Sequence, residues 1–153
     1  MDDVKVVRKF MQAVGQSTPD VPTEPTKDEK ILRAKLILEE AIELCNALGI
    51  TISSMVPQGE PVNSTDDLYF NNDLIFNMVE VVDGCCDLYW VGVGGVAVSC
   101  GFSLREPLDE VNRSNLSKID NGYRGDNGKW EKGPNYSPAK LDDKVLPICS
   151  TLE

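Results

Sequence analysis

Residues Leu74 to Gly101 read LIFNMVEVVDGCCDLYWVGVGGVAVSCG, and this stretch decides the fold. Apolar residues lie all round it, which predicts a long helix embedded in protein rather than lying on a surface. Yet it carries Glu80, Asp83 and Asp87. At about 100° per residue these three acids fall within roughly a 60° arc. Phe76 and Val91 lie on or beside that arc, so the acids are not expected to form a solvent face. An unpaired buried carboxylate is costly and tends to protonate. A cation is therefore expected opposite them.

Upstream, DEKILRAKLILEEAIELCNALG predicts a second helix, opened by Thr26 or Asp28 and stopped at Gly49. Leucines and isoleucines surround it, so it too is expected to be buried on more than one side. Glu39, Glu40 and Glu43 occupy roughly a 100° arc that also holds Leu36. A first helix is expected from Asp2 or Asp3 to about Val14, with Val4, Val7, Phe10, Met11 and Val14 on one face. Gly15 ends it, and Pro19, Pro22 and Pro25 impose an extended connector.

Ile50 to Asn72 is a polar connection, long for a compact domain and hence either mobile or functional. Its start, Ile50-Thr-Ile, suits a short strand. Beyond Gly101 a short helix is expected from Leu104 to Ile119, with Pro107 in its first turn. After Asp120 the chain becomes rich in Gly and Asn. Asp126-Asn-Gly signals a loop or small hairpin, and the tail from Val145 is expected to be loosely held.

The composition excludes several function classes. The 153 residues suit one domain with a real core, and 25 acids against 15 bases leave a net charge of −10. That balance argues against non-specific binding to nucleic acid or to acidic membrane. There is no His, which removes the commonest general base and the commonest zinc ligand. Cys45, Cys85, Cys86, Cys100 and Cys149 form no C-x-x-C pair, and they read as reduced thiols of a cytoplasmic protein. The start, MDDVKVVRKF, is charged and amphipathic rather than a secretion signal. The acid-free apolar run Leu88 to Leu104 falls short of a membrane span.

Two helices thus each carry carboxylates spaced i, i+3, which point the same way. If the helices pack antiparallel, the two sets meet in an oxygen-rich pocket. Two like charges about 4 Å apart repel by roughly 4 kcal/mol at an effective dielectric of 20. Arg33 and Lys35 are the only cations near the first set, and the long helix has none. A hard divalent ion with oxygen ligands can neutralise such a cluster. Mg²⁺ is the default, because it accepts carboxylates, keeps waters and binds substrate phosphates.

The pair Glu39-Glu40-x-x-Glu43 and Glu80-x-x-Asp83 resembles the signature of the all-α nucleoside triphosphate pyrophosphohydrolases. That superfamily includes MazG-like enzymes, phosphoribosyl-ATP pyrophosphohydrolases and dimeric dUTPases. Asp109-Glu-Val-Asn-Arg-Ser-Asn-Leu-Ser-Lys118 and Asp126-Asn-Gly-Lys-Trp-Glu-Lys-Gly-Pro-Asn-Tyr136 are similar to C-terminal motifs of a MazG-like branch. Asn112 departs from it, since that branch often has His there.

The resemblance implies an all-α fold, four or five helices around a bundle core with a short C-terminal loop or hairpin. It implies one MazG-like domain over residues 1–153. The implied function is Mg²⁺-dependent hydrolysis of a (deoxy)nucleoside triphosphate to the monophosphate and pyrophosphate, with Mn²⁺ as a substitute ion. Glu40, Glu43, Glu80 and Asp83 would be metal ligands. Glu39 would be the catalytic carboxylate that orients water or holds a further ion, and Asp87 would support them from behind. Lys35, Asn115, Lys118, Lys129, Lys132 and Tyr136 would contact substrate. Trp130 and Tyr136 could stack on a base or latch the tail. A homodimer or higher homo-oligomer is implied, without nucleic acid or membrane partners. The rivals are a phosphoribosyl-ATP substrate, a non-catalytic metal- or nucleotide-binding protein, and a helical protein whose acids are merely solvated.

Overall fold

The computed structural model describes residues 3–120 and 122–148. The chain divides into two compact units, Met1–Gly15 with Pro25–Val96 and Gln16–Glu24 with Ala97–Glu153.

In the first unit, α1 (Asp3–Ala13) is followed by α2 (Lys27–Ala47), and α3 spans Met78–Leu88. The expected Asp2 cap of α1 lies outside the described residues. Gly15, at φ 75°, ends that helix as anticipated, its N–H donating to the Gln12 carbonyl at 3.1 Å. Thr26 caps α2 through a reciprocal pair: the Glu29 N–H donates to Thr26 Oγ1, and the Thr26 N–H donates to Glu29 Oε2 at 2.8 Å. These hydrogen bonds hold the Glu29 carboxyl below its ordinary value.

Three features depart from expectation here. The long helix starts at Met78 rather than Leu74, because the Asn77 side chain accepts from the N–H groups of Val79 and Glu80 and sets the boundary. It then changes to a π-helical segment, Tyr89–Gly95, before α4 (Val96–Cys100). The chain between α2 and α3 is a hairpin rather than a loose connection. Its strands β1 (Ile50–Ser54) and β2 (Leu68–Asn72) pair antiparallel from Ile50↔Asn72 to Ser54↔Leu68. The tip is ordered by Asp67, whose carboxylate accepts from the N–H groups of Asn63 and Ser64 at 2.8 and 3.0 Å.

The π-helical segment meets α1. Gly94 lies under the buried Val7, and Phe10 packs edge-on to Trp90 with ring centroids 6.1 Å apart. Close packing against α1 is thus the role of Gly94. Gly92 has open space around it.

The expected burial of α2 and the long helix is not met within the chain. Ala47 is the one buried residue of α2. Ile31, Leu38 and Ile42 form an exposed stripe on α2. Ile75 (92% exposed), Met78, Val79 (74%) and Val82 form another, running from just before α3 into it. Cys85 and Cys86 are exposed as well, not core residues. Sequence apolarity reports that a face is to be covered, not which chain covers it. By length and composition the run Met78–Cys100 could cross a bilayer. Its three carboxylates lie within the first ten residues, which is costly in hydrocarbon.

In the second unit, α5 (Arg105–Leu116) is followed by a two-stranded sheet of β3 (Tyr123–Arg124) and β4 (Trp130–Glu131). The expected hairpin is present, with Gly128 at φ 79° in its loop. The tail is not loose as far as Ile148. Ser103 donates its N–H to the Leu146 carbonyl at 2.9 Å, and Ile148 is buried. Cys149 lies outside the described residues. The chain is thus mostly helical, but the all-α expectation lacks its two small sheets.

Candidate functional site

Local signals phase the two acid-bearing helices, and tertiary contacts then bring them together. The Asn77 N–H donates to the Ala47 carbonyl at 3.0 Å, joining the start of α3 to the end of α2. Gly84 lies against Leu44, so close that a Cβ there would stand 3.2 Å from the Leu44 Cα. Residue 77 beside 47 and residue 84 beside 44 make an antiparallel pair. That register sets Asp87 opposite Glu40, about one turn further along each helix.

Electrostatics agree with this register. The Glu40 carboxyl is pushed above its ordinary value, first by burial and then by the charges of Asp87, Glu43, Glu39 and Asp83. Every charge acting on it is negative. Four of the other five acids picked from the sequence are therefore gathered round this one half-buried carboxyl. Glu80 stands apart from that group: the register places it level with residues 44–47, where Glu43 is the nearest acid of α2.

The surroundings differ from expectation in one respect. Glu39, Glu43, Glu80, Asp83 and Asp87 are exposed in the chain, as are the apolar stripes beside them. Among the described residues, no three such side chains converge closely enough to enclose an ion by themselves. The donor set is nonetheless all oxygen and strongly anionic, which matches Mg²⁺ or Mn²⁺. Mg²⁺ commonly takes one or two carboxylates, with waters and substrate phosphates completing its shell. Lys35 is exposed on α2, one turn before Glu39.

The second unit gathers another set. Lys118 Nζ donates to Asn115 Oδ1 at 2.8 Å. Lys132 Nζ sits 4.5 Å from the centroid of the Tyr136 ring, and Lys118 Nζ 6.0 Å from it. The Tyr136 hydroxyl meets Ser114 Oγ at 3.4 Å. That hydrogen bond, with the two ammonium groups, lowers the phenol below its ordinary value. Lys129 lies in the hairpin loop and is exposed. Trp130 acts as a latch, its indole N–H donating to the Lys118 carbonyl at 2.7 Å.

Sequence reasoning missed the side chains that hold this set. Glu110, Arg113 and Ser114 on α5 and Ser117 at its C-terminal cap follow i, i+3, i+4, i+7 spacing and clasp the segment from Tyr136 to Lys140. The polar periodicity of E-x-x-R-S-x-x-S was the available signal.

Comparison with protein families matches residues 7–115 to the model described as phosphoribosyl-ATP pyrophosphohydrolase. The match takes in all six acids, Lys35 and Asn115, and stops before Lys118, Lys129, Lys132 and Tyr136. A search of curated proteins found no match.

Proposed function

We propose, from the premise that this chain belongs to the phosphoribosyl-ATP pyrophosphohydrolase family, that it is a pyrophosphohydrolase acting on a nucleotide. More narrowly, it hydrolyses a (deoxy)nucleoside triphosphate to the monophosphate and pyrophosphate, in cytoplasmic nucleotide-pool housekeeping. Residues 1–153 serve as one MazG-like domain, a reading supported by a family match that runs across the boundary at residue 96. The observation that carries the function is the half-buried Glu40 carboxyl ringed by four further acids.

The residues have distinct tasks. Glu40, Glu43, Glu80 and Asp83 hold a divalent ion, Mg²⁺ by default and Mn²⁺ in its place. When bound, such an ion offsets the carboxylate charge, draws phosphate oxygens to this face and makes a nearby water more acidic. Glu39 accepts a hydrogen bond from the attacking water and takes its proton. The new bond joins that oxygen to the α-phosphorus; the bond to the α,β-bridging oxygen breaks, and pyrophosphate leaves. Asp87 orients the neighbouring carboxyls. Asn115, Lys118, Lys129, Lys132 and Tyr136 contact the nucleotide, as does Lys35.

A second substrate, phosphoribosyl-ATP, is favoured by the description of the matching family. The apolar stripes on α2 and α3 support a homo-oligomer in which a second copy covers them. The net charge of −10 and the carboxylates of α3 speak against nucleic-acid and membrane partners. The test is turnover of a panel of nucleoside triphosphates together with phosphoribosyl-ATP, with Mg²⁺ and with EDTA. Pyrophosphate release that needs the metal supports the reading. Absence of turnover on every substrate would leave a binding protein instead.

A further inference from the structure

We propose that Arg113 is a positioning residue, fixing Lys132 and Tyr136 against α5 by tying down the chain that follows them. The inference rests on the reading above that Lys132 and Tyr136 contact the nucleotide. Arg113 makes two parallel bonds to Glu110, Nε to Oε2 and Nη2 to Oε1, both 2.8 Å. Its other donors reach across 24 and 25 residues of sequence. Nη1 donates to Ser137 Oγ at 3.1 Å, and Nη2 to the Pro138 carbonyl at 3.2 Å. Glu110 adds a tie of its own, because Oε1 accepts the Lys140 N–H at 2.9 Å. One guanidinium–carboxylate pair thereby holds Ser137, Pro138 and Lys140.

These ties act on the segment that carries the cations. Tyr136 immediately precedes Ser137, and its N–H donates to the Gly133 carbonyl at 3.1 Å, closing a turn next to Lys132. Ser117 also grips Ser137: its Oγ accepts the Ser137 N–H at 3.0 Å and donates to the Ser137 carbonyl. Lysine could not replace the arginine, since one ammonium cannot present a planar fork to Glu110 while reaching both Ser137 and Pro138. The clasp is set at neutral pH. Hydrogen bonds from Arg113 and the Lys140 N–H hold the Glu110 carboxyl down at about 2, so it stays ionised.

The probe is inorganic tripolyphosphate, titrated calorimetrically with Mn²⁺ into the full chain and its variants. It reads the phosphate contacts without a base. Arg113→Gln should weaken it about tenfold, the worth of one charge-assisted contact. Arg113→Lys should fail to restore the affinity. Lys132→Ala should weaken it by a similar factor, and the double variant by little more than either single one, because both changes remove the same contact. A merely structural arginine would lower the melting temperature and leave the affinity of the folded protein unchanged, which would overturn the proposal. Full multiplication of the two effects would overturn it too. If Lys132→Ala itself leaves the affinity unchanged, the nucleotide-contact reading fails first. If Lys132→Ala weakens binding and Arg113→Gln does not, that reading stands and the positioning role falls. Should Arg113→Gln not fold, Ser137→Ala removes one of its ties and is held to the same affinity and double-variant comparison.

Discussion

Gly84→Ala probes the helix pair on which the acids stand. A Cβ at this position would lie 3.2 Å from both Cα and Cβ of Leu44 and 3.4 Å from its Cδ1. Relaxed carbon contacts are about 3.5–4.0 Å, so against a 3.2 Å approach α2 and α3 must separate there by about 0.3–0.8 Å. Overpacking of this kind costs about 1–3 kcal/mol. Alanine returns about 1 kcal/mol as the better helix former. The net expectation is a loss of about 0–2 kcal/mol. Leu44→Ala in the same chain removes Cδ1 but leaves Cα and Cβ in place, so the penalty should persist in the double variant. Gly94→Ala is the contrast. Its Cβ would stand 2.5 Å from Val7 Cγ2 and 3.2 Å from Cγ1. Val7→Ala removes both of these atoms but keeps the Val7 Cβ, 3.1 Å away, so this second pair should be rescued in part, through loss of the 2.5 Å contact. Urea unfolding followed by far-UV circular dichroism measures all of these variants. If Gly84→Ala is stabilised by the full helical gain of about 1 kcal/mol, the two helices do not meet at Leu44. The placement of Asp87 opposite Glu40 would fall with that contact.

Other expectations are as direct. Glu40→Gln should raise the melting temperature of the metal-free protein at neutral pH, because it removes one of several crowded negative charges. The Glu40 carboxyl is raised in the fold, so its ionisation costs stability as pH rises through that value; the gain from Gln should vanish in acid. Glu110 has the opposite sign. Its carboxyl falls from 4.5 to about 2 on folding, so its contribution is full above 4.5 and is lost as pH drops toward 2. Urea midpoints measured across that window should slope in the wild type and flatten in Glu110→Gln. Val79→Asp, placed in the exposed stripe of α3, should shift the sedimentation of the native protein toward the monomer; an unchanged sedimentation coefficient would remove that stripe from the interface.

The helices were legible because their boundaries rest on local chemistry. Thr26 with Glu29, and Gly15 after α1, act within a few residues of chain. Asn77 is equally local, but the apolar run before it, from Leu74 to Phe76, masked the true start of α3. The strand β2 was not legible, since Leu68–Asn72 is a strand only by pairing with β1 some 18 residues away. Nor was the π-helical turn, which exists against Val7 and Phe10 of α1. The grip on the tail came from Gly101 and Ser103, distant in sequence from Leu146 and Ile148. Within the site, i, i+3 spacing foretold the acids now gathered round Glu40. It did not foretell their exposure, because Val79 and Leu38 look the same in sequence whether their own chain or another covers them. The clasp of Arg113 was missed because Glu110–Arg113 reads as an ordinary surface pair until Ser137 and Pro138 arrive beside it.

The central claim is that the carboxylates of α2 and α3 direct water to the α-phosphorus of a nucleotide. Hydrolysis in ¹⁸O water with Mg²⁺, with products resolved by mass spectrometry, tests it most directly. The account predicts intact, unlabelled pyrophosphate and a nucleoside monophosphate carrying the label, with turnover lost in Glu40→Gln and Asp83→Asn. Label in the pyrophosphate would move the attack to the β-phosphorus, and orthophosphate with a nucleoside diphosphate would contradict the account altogether.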